Sequence, residues 1–279
     1  MLKKNILVFG ANGLVGSSCM RILSTSSKVS TVIPSTRKDT NLFSLEETKQ
    51  KIISSKPDVV IIAAAKVGGI LANNTYRTEF LIENLKINMN ILESLIEFPD
   101  VQIINLGSSC IYPLNAKNPL QEESIFSGKL EPTNSPYAVA KLSAIELADA
   151  MSQQFNHNIF NLMPTNLYGV NDNFSELDSH VIPGLIRRMH KAKISNQPKF
   201  EIWGSGTPLR EFLYVDDLAL AIEFLINKNL DKSVINVGSS EEISIKNLAF
   251  LIKEIINYEG DLDFDKSKPD GNPRKLLDT

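Results

Sequence analysis

Through the first half of the chain, short apolar-rich runs alternate with longer stretches in which apolar positions recur every three or four residues. Ile6 to Phe9, Val29 to Ile33, Val59 to Ala63 and Ile103 to Leu106 are of the first kind and predict strands of a parallel sheet buried on both faces. Leu14 to Ser24, Glu46 to Ser54 and Thr78 to Ile96 are of the second kind and predict helices. Pro136 to Phe155 predicts a further long helix with proline in its first turn, followed by a strand over Ile159 to Met163. This strand-helix alternation predicts an α/β fold, a Rossmann-type doubly wound parallel sheet.

After Pro164 the alternation breaks down. Loops rich in Asn, Asp, Gly and Pro interrupt shorter elements such as Val181 to Lys193 and Ile245 to Asn257, which predicts a smaller C-terminal lobe. With no internal repeat or low-complexity linker to mark a boundary, residues 1–165 and 166–279 are expected to form two interleaved parts.

Bulk properties narrow the picture. The chain has 279 residues, 43% hydrophobic and 22% charged, ordinary for a globular protein with a sizeable core. A net charge of −3 supplies no basic field for nucleic acid. Neither a signal segment nor a membrane span is expected, which predicts a cytoplasmic protein without a membrane partner. Two cysteines, Cys19 and Cys110, do not make a disulfide framework, and no metal site is expected.

Candidate chemistry gathers at the ends of the predicted strands. Gly10-Ala11-Asn12-Gly13-Leu14-Val15-Gly16 stands at a strand-to-helix junction, where absent side chains permit a tight turn, close phosphate approach and helix packing. The helix N-terminus would then face a pyrophosphate. After the second strand, where an acidic residue would receive ribose hydroxyls, the chain offers Ser35-Thr-Arg37-Lys38. Arg37 fits a 2′-phosphate and favours NADP; as the alternative, Arg37 and Lys38 are solvated loop charges. Tyr137 and Lys141 lie four apart on one helical face, where an ammonium favours phenolate and proton exchange. Leu106-Gly107-Ser108-Ser109-Cys110 ends a strand at the carboxyl edge where open sheets place ligands. There Ser108 could bond a substrate carbonyl while Ser109 serves the turn.

Ser108, Tyr137 and Lys141 together resemble the triad of the extended short-chain dehydrogenase/reductase family. The resemblance narrows to the GDP-L-fucose synthases through Ala63-Ala-Ala-Lys-Val-Gly-Gly-Ile70, Gly107-Ser-Ser-Cys-Ile-Tyr-Pro113, Glu131-Pro-Thr-Asn134 and Met163-Pro-Thr-Asn-Leu-Tyr-Gly169. Ser179-His-Val-Ile-Pro183, Trp203-Gly-Ser-Gly-Thr-Pro208 with Arg210-Glu-Phe-Leu, and the segment Lys268 to Asp278 extend it over essentially the whole chain.

That resemblance implies a homodimeric, NADPH-dependent 3,5-epimerase and 4-reductase acting on GDP-4-keto-6-deoxy-D-mannose. Cys110 matches the family's base and His180 its acid; read without the resemblance, Cys110 is a small buried hydrophobe and His180 a loop histidine. Cofactor contacts are implied for Leu106 to Ser109, Lys141, Pro164, Thr165, Asn166, Leu167 and His180. GDP-sugar contacts are implied for Arg188, Trp203, Arg210 and Asp270. Read alone, Arg187-Arg188 is a solvated helix face, Trp203 core packing, and Arg210-Glu211 a surface ion pair. Asn12 stands where many relatives carry Arg, and relatives continue past the Leu-Leu-Asp motif, so an incomplete C-terminal lobe is expected. Synthases of GDP-L-colitose or GDP-6-deoxy-heptoses and a non-catalytic NADP-binding protein remain alternatives.

Overall fold

A computed structural model describes residues 2–176, 178–230, 232–268, 270 and 272–279. The first half contains β1 (Lys4–Phe9), α1 (Leu14–Leu23), β2 (Val29–Ser35), α2 (Leu45–Ser55), β3 (Val59–Ile62), α3 (Ile70–Thr75), α4 (Arg77–Leu95), β4 (Gln102–Leu106), α5 (Ser135–Phe155) and β5 (Ile159–Pro164). Every predicted strand and helix of that half is present to within two residues at either end; α3 was not predicted. The second half adds β6 (Asn166–Tyr168), α6 (Val181–Ile194), β7 (Lys199–Trp203), β8 (Leu209–Tyr214), α7 (Val215–Leu225), β9 (Val234–Val237), β10 (Glu242–Ser244), α8 (Ile245–Ile256) and β11 (Asp261–Asp265).

Local chemistry fixes the element ends. Ser44 caps α2, its Oγ accepting the Glu47 N–H at 3.2 Å, and Glu46 and Glu47 sit at the positive end of the helix. Asn156 and Asn257, both left-handed, terminate α5 and α8.

Six parallel strands in the order β2-β1-β3-β4-β5-β9 form the central sheet. Along β1 the side chains alternate between its faces. Ile6 and Val8 join Cys19 of α1 and Leu218 and Ile222 of α7, whereas Leu7 and Phe9 join Ile52 of α2, Ile91 of α4 and Ala148 of α5. Burial on both faces is why β1, β3, β4 and β5 read as apolar runs, each fully buried Leu, Ile or Phe contributing about 1.5–3 kcal/mol; β2, expected to be buried likewise, is an edge strand with only Val29 and Ser35 buried. Chain order reverses between β1 and β3, the switch point that opens a crevice at the carboxyl edge.

The second half returns to this sheet. It supplies β9 as an edge strand and α7 as a cover beside α1 before building a separate layer. That layer has a three-stranded sheet β10-β8-β6 and a two-stranded sheet β11-β7, with α6 and α8 packed around Leu185, Met189, Phe200, Ile202, Leu248 and Ile252. A smaller cluster containing Ile111, Tyr112, Leu142, Met163 and Leu277 packs the segment after β4 and the C-terminal segment against α5 and β5. Among the described residues no helix is long and apolar enough to cross a membrane.

Candidate active site

The glycine loop lies at the switch point. Gly10 has φ +84°, and a Cβ there would come within 2.8 Å of the Ala63 carbonyl after β3. At Gly16 a Cβ would strike the Gly10 carbonyl, so α1 packs on the loop only with glycine. Gly13 differs: it is exposed, and a Cβ would meet only the Gly10 oxygen at 3.4 Å, an ordinary contact. Protein packing does not require glycine there, but a ligand against the N-terminus of α1 would. Gly13 is also the N-cap of α1 and offers no side-chain cap, so the first-turn N–H groups face outward for an anion. The loop is moored by the Gly10 and Ala11 N–H groups, which donate to the Ser35 carbonyl at 2.9 and 3.1 Å. Arg37 follows in a turn held by Asp39, which accepts the Thr36 N–H at 3.0 Å; Arg37 is exposed and makes no ion pair among the described residues. These features fit a dinucleotide carrying a 2′-phosphate.

Ser108, Tyr137, Lys141 and Cys110 converge at the end of β4. Gly107 lets the chain turn against Met163, on whose side chain a Cβ would land. Ser108 then caps a single 3-10 turn (Ser109–Ile111), its Oγ accepting the Cys110 N–H at 3.2 Å. Ser109 is buried in that turn. Lys141 is 2% exposed and donates to the Leu106 carbonyl at 2.7 Å, and burial pushes its ammonium down to about 8.

Tyr137 departs from expectation. Burial pushes its phenol well above the ordinary range, a negative charge on Cys110 pushes the same way, and a hydrogen bond with Ser108 pulls back. Lys141 Nζ lies 5.9 Å from the centroid of the Tyr137 ring and donates to Leu106, and burial outweighs any help the ammonium gives to the expected phenolate. A phenol kept protonated is suited to giving a proton to a ketone oxygen. Phe80 of α4 meets Tyr137 edge-on at 6.3 Å and braces the ring.

Cys110 is a free, partly buried thiol whose Sγ receives a hydrogen bond from Lys275 Nζ at 3.4 Å. His180 is the exposed N-cap of α6, and no hydrogen bond joins it to the residues above among those described. Its loop is nevertheless fixed. The Gly69 N–H donates to the Asp178 carbonyl at 3.1 Å, and a Cβ on Gly69 would approach the Ser179 carbonyl to 2.8 Å. The Gly68-Gly69 pair therefore lets the loop after β3 come close to the His180 loop.

Arg188 and Arg210 are partly buried, and burial disfavours the charge on both, opposed by Glu201 and by Cys110 respectively. Among the described residues neither is within ion-pair distance of a carboxylate. Arg188 stacks over Phe200 at 5.2 Å, and Arg210 donates to the Leu209 carbonyl at 2.8 Å. The surface pair Arg210-Glu211 does not exist: Glu211, 0% exposed, accepts the Ser240 N–H at 2.8 Å and the Leu277 N–H at 3.1 Å. Successive residues of a strand point to opposite faces, which separates the two. Trp203 is 57% exposed rather than core packing.

Three assigned side chains are already engaged. Asp270 accepts the Ser205 N–H and hydroxyl at 2.6 and 2.8 Å, clamping the turn after Trp203. The Thr165 hydroxyl and the Asn166 amide both donate to the Glu211 carbonyl, at 3.1 and 2.8 Å. Pro164 ends β5 and Leu167 packs into the sheet core. Lys275, Glu211 and Phe80 were missed from the sequence. Lys275 stood within a recognised motif, but nothing local to it points to Cys110.

Comparison with known proteins agrees with this chemistry. The NAD dependent epimerase/dehydratase family matches residues 6–238. A GDP-L-fucose synthase of Sinorhizobium fredii is 45% identical over 274 residues, covering 98% of this chain and 87% of that protein. One from Escherichia coli is 44% identical over 287 residues, covering 100% and 89%. The crystal structure of a GDP-L-fucose synthetase from Naegleria fowleri bound to NADP superposes with a TM-score of 0.90 at 30% identity, covering 100% of this chain and 86% of that one.

Proposed function

Because this chain belongs to the NAD dependent epimerase/dehydratase family, we propose that it is an NADPH-dependent enzyme that epimerises GDP-4-keto-6-deoxy-D-mannose at C3 and C5 and reduces it at C4, giving GDP-L-fucose. Residues 1–165 chiefly hold the cofactor and 166–279 the nucleotide sugar, with α7 and β9 returning to the cofactor part. The glycine loop and α1 hold the pyrophosphate and Arg37 the 2′-phosphate. Bound NADPH supplies the hydride.

The ketone acidifies the hydrogens on its neighbouring carbons. Cys110 as thiolate takes such a proton and becomes a thiol, and His180 returns one on the opposite face, so no net oxidation accompanies inversion. Ser108 then hydrogen-bonds the C4 oxygen and Tyr137 gives it the proton that accompanies reduction. Arg188 and Arg210 bind the diphosphate as bidentate donors, and the exposed Trp203 face takes the base. The observation that carries this reading is the convergence of a protonated phenol and a free thiol on one strand end, with Arg210 in electrostatic reach of that thiol and, among the described residues, without a carboxylate partner. The free cysteines support a cytoplasmic setting. Ile82 and Met89 of α4 and Val139 of α5, all exposed, support a homodimer through these helices.

The test is incubation with NADPH and the keto sugar in heavy water. GDP-L-fucose carrying deuterium at C3 and C5 is expected by NMR. A reduced D-sugar free of deuterium would remove the epimerase half, and preferential turnover of the GDP-colitose or GDP-heptose precursors would reassign the substrate.

A further inference from the structure

We propose that Lys275 is a positioning residue that holds Cys110 as the thiolate, and that the surrounding Arg274 to Asp278 segment is a strap that delivers it. The proposal rests on the acid/base role given to Cys110 above and adds what makes that thiol a base at neutral pH.

Lysine is a flexible point charge, and placing it beside one sulfur requires a fixed backbone. The strap provides one. The Leu276 N–H donates to Asn118 Oδ1 at 2.9 Å, and its carbonyl accepts the Leu120 N–H at 2.7 Å. The Asp278 N–H returns to the Leu120 carbonyl at 2.9 Å, forming a parallel bridge between Leu120 and Leu277. Leu277, 2% exposed, is buried against Ile111 and Leu142, and its N–H is taken by the buried Glu211 carboxylate at 3.1 Å. Among the described residues this carboxylate has no cationic partner, and such a group would be costly to retain for packing alone. Here it anchors a bridged segment whose next-but-one residue reaches Cys110 Sγ at 3.4 Å.

Arg210 from β8 is within electrostatic reach and, as a cation, acts in the same direction as Lys275, while the Tyr137 phenol from α5 is neutral at pH 7. Of the two cations, only Lys275 touches the sulfur among the described contacts. An ammonium in hydrogen-bond contact with a sulfur favours its thiolate over its thiol.

The test follows iodoacetamide alkylation of the ligand-free protein against pH. Cys19 is silent, being 0% exposed with its thiol pushed up to about 12 by burial, so the rate reports Cys110. Wild type is expected to show a midpoint below that of an ordinary thiol, about 8.5. Lys275→Met should raise it by one pH unit or more, slow deuterium entry at C3 and C5 at least tenfold at pH 7, and leave NADPH titration unchanged. Lys275→Arg should restore the low midpoint. A folded Lys275→Met with an unmoved midpoint overturns the proposal, even if its KM rises, since that pattern marks a substrate contact alone. Should that variant not fold, a wild-type midpoint at or above 8.5 overturns it equally. Because alkylation needs no substrate, its outcome is separate from whether the wild type epimerises at all.

Discussion

The two halves of the molecule each bury a charge beside the same crevice, and they do so to opposite effect. In the cofactor half, Lys141 is sealed against the sheet with only the Leu106 carbonyl for company, and burial drags its ammonium down. In the C-terminal half, Glu211 is as deeply buried but binds two backbone N–H groups from segments far apart in sequence. The cofactor half is held by a periodic apolar core, and its buried charge is a cost carried for chemistry. The other half has short strands and a smaller core, and its buried charge is a fastener. Where apolar burial is plentiful a fold can carry strain at its active site; where it is sparse, polar ties do the holding.

The largest expected effect comes from breaking the fastener. Glu211→Ala orphans the buried Leu277 N–H, at about 1–3 kcal/mol, and removes a charge-assisted bond from the exposed Ser240, at about 1.5–3 kcal/mol, so denaturant unfolding should show a loss of about 2–6 kcal/mol. A loss below ~1 kcal/mol would deny Glu211 this role.

Lys141→Met should act in the reverse sense. The folded state holds Lys141 at about 8 against an ordinary value near 10.5, so below pH 8 folding confines a charge in an apolar site. Between pH 8 and 10.5 the unfolded chain binds the extra proton, and wild-type stability gains as pH rises. The variant should therefore be more stable than wild type at pH 7, by up to roughly 3 kcal/mol less the lost hydrogen bond, with the advantage fading towards pH 10, while reduction is lost. Thermal melts at pH 7 and 10 measure it; an advantage that grows with pH would have the wrong sign.

Gly16→Val tests the apolar half by overpacking and should cost about 1–3 kcal/mol and abolish NADPH binding in a fluorescence titration. Arg37→Asp, an exposed change, should leave the melt unmoved. Its expected effect is to weaken NADPH relative to NADH about tenfold, ~1.4 kcal/mol; an unchanged ratio would move 2′-phosphate recognition elsewhere.

What the sequence determined by itself was whatever depends on near neighbours along the chain. The period of apolar residues set β1 to β5 and the long helices, because burial on one or two faces imposes its own repeat. Gly10, Gly13 and Gly16 marked the cradle because the turn and the approach of Gly16 to Gly10 are local, and Tyr137 and Lys141 shared a face because helical geometry requires it. The tertiary structure decided the rest. α7 and β9 came back to a sheet formed by residues far earlier, Arg210 and Glu211 parted to opposite sides of β8, and Lys141 was sealed against the Leu106 carbonyl. Lys275 met Cys110 through a segment pinned by Asn118, Leu120 and Glu211. Each of these depends on hydrogen bonds and burial between segments distant in sequence, and such pairings leave no period in the chain.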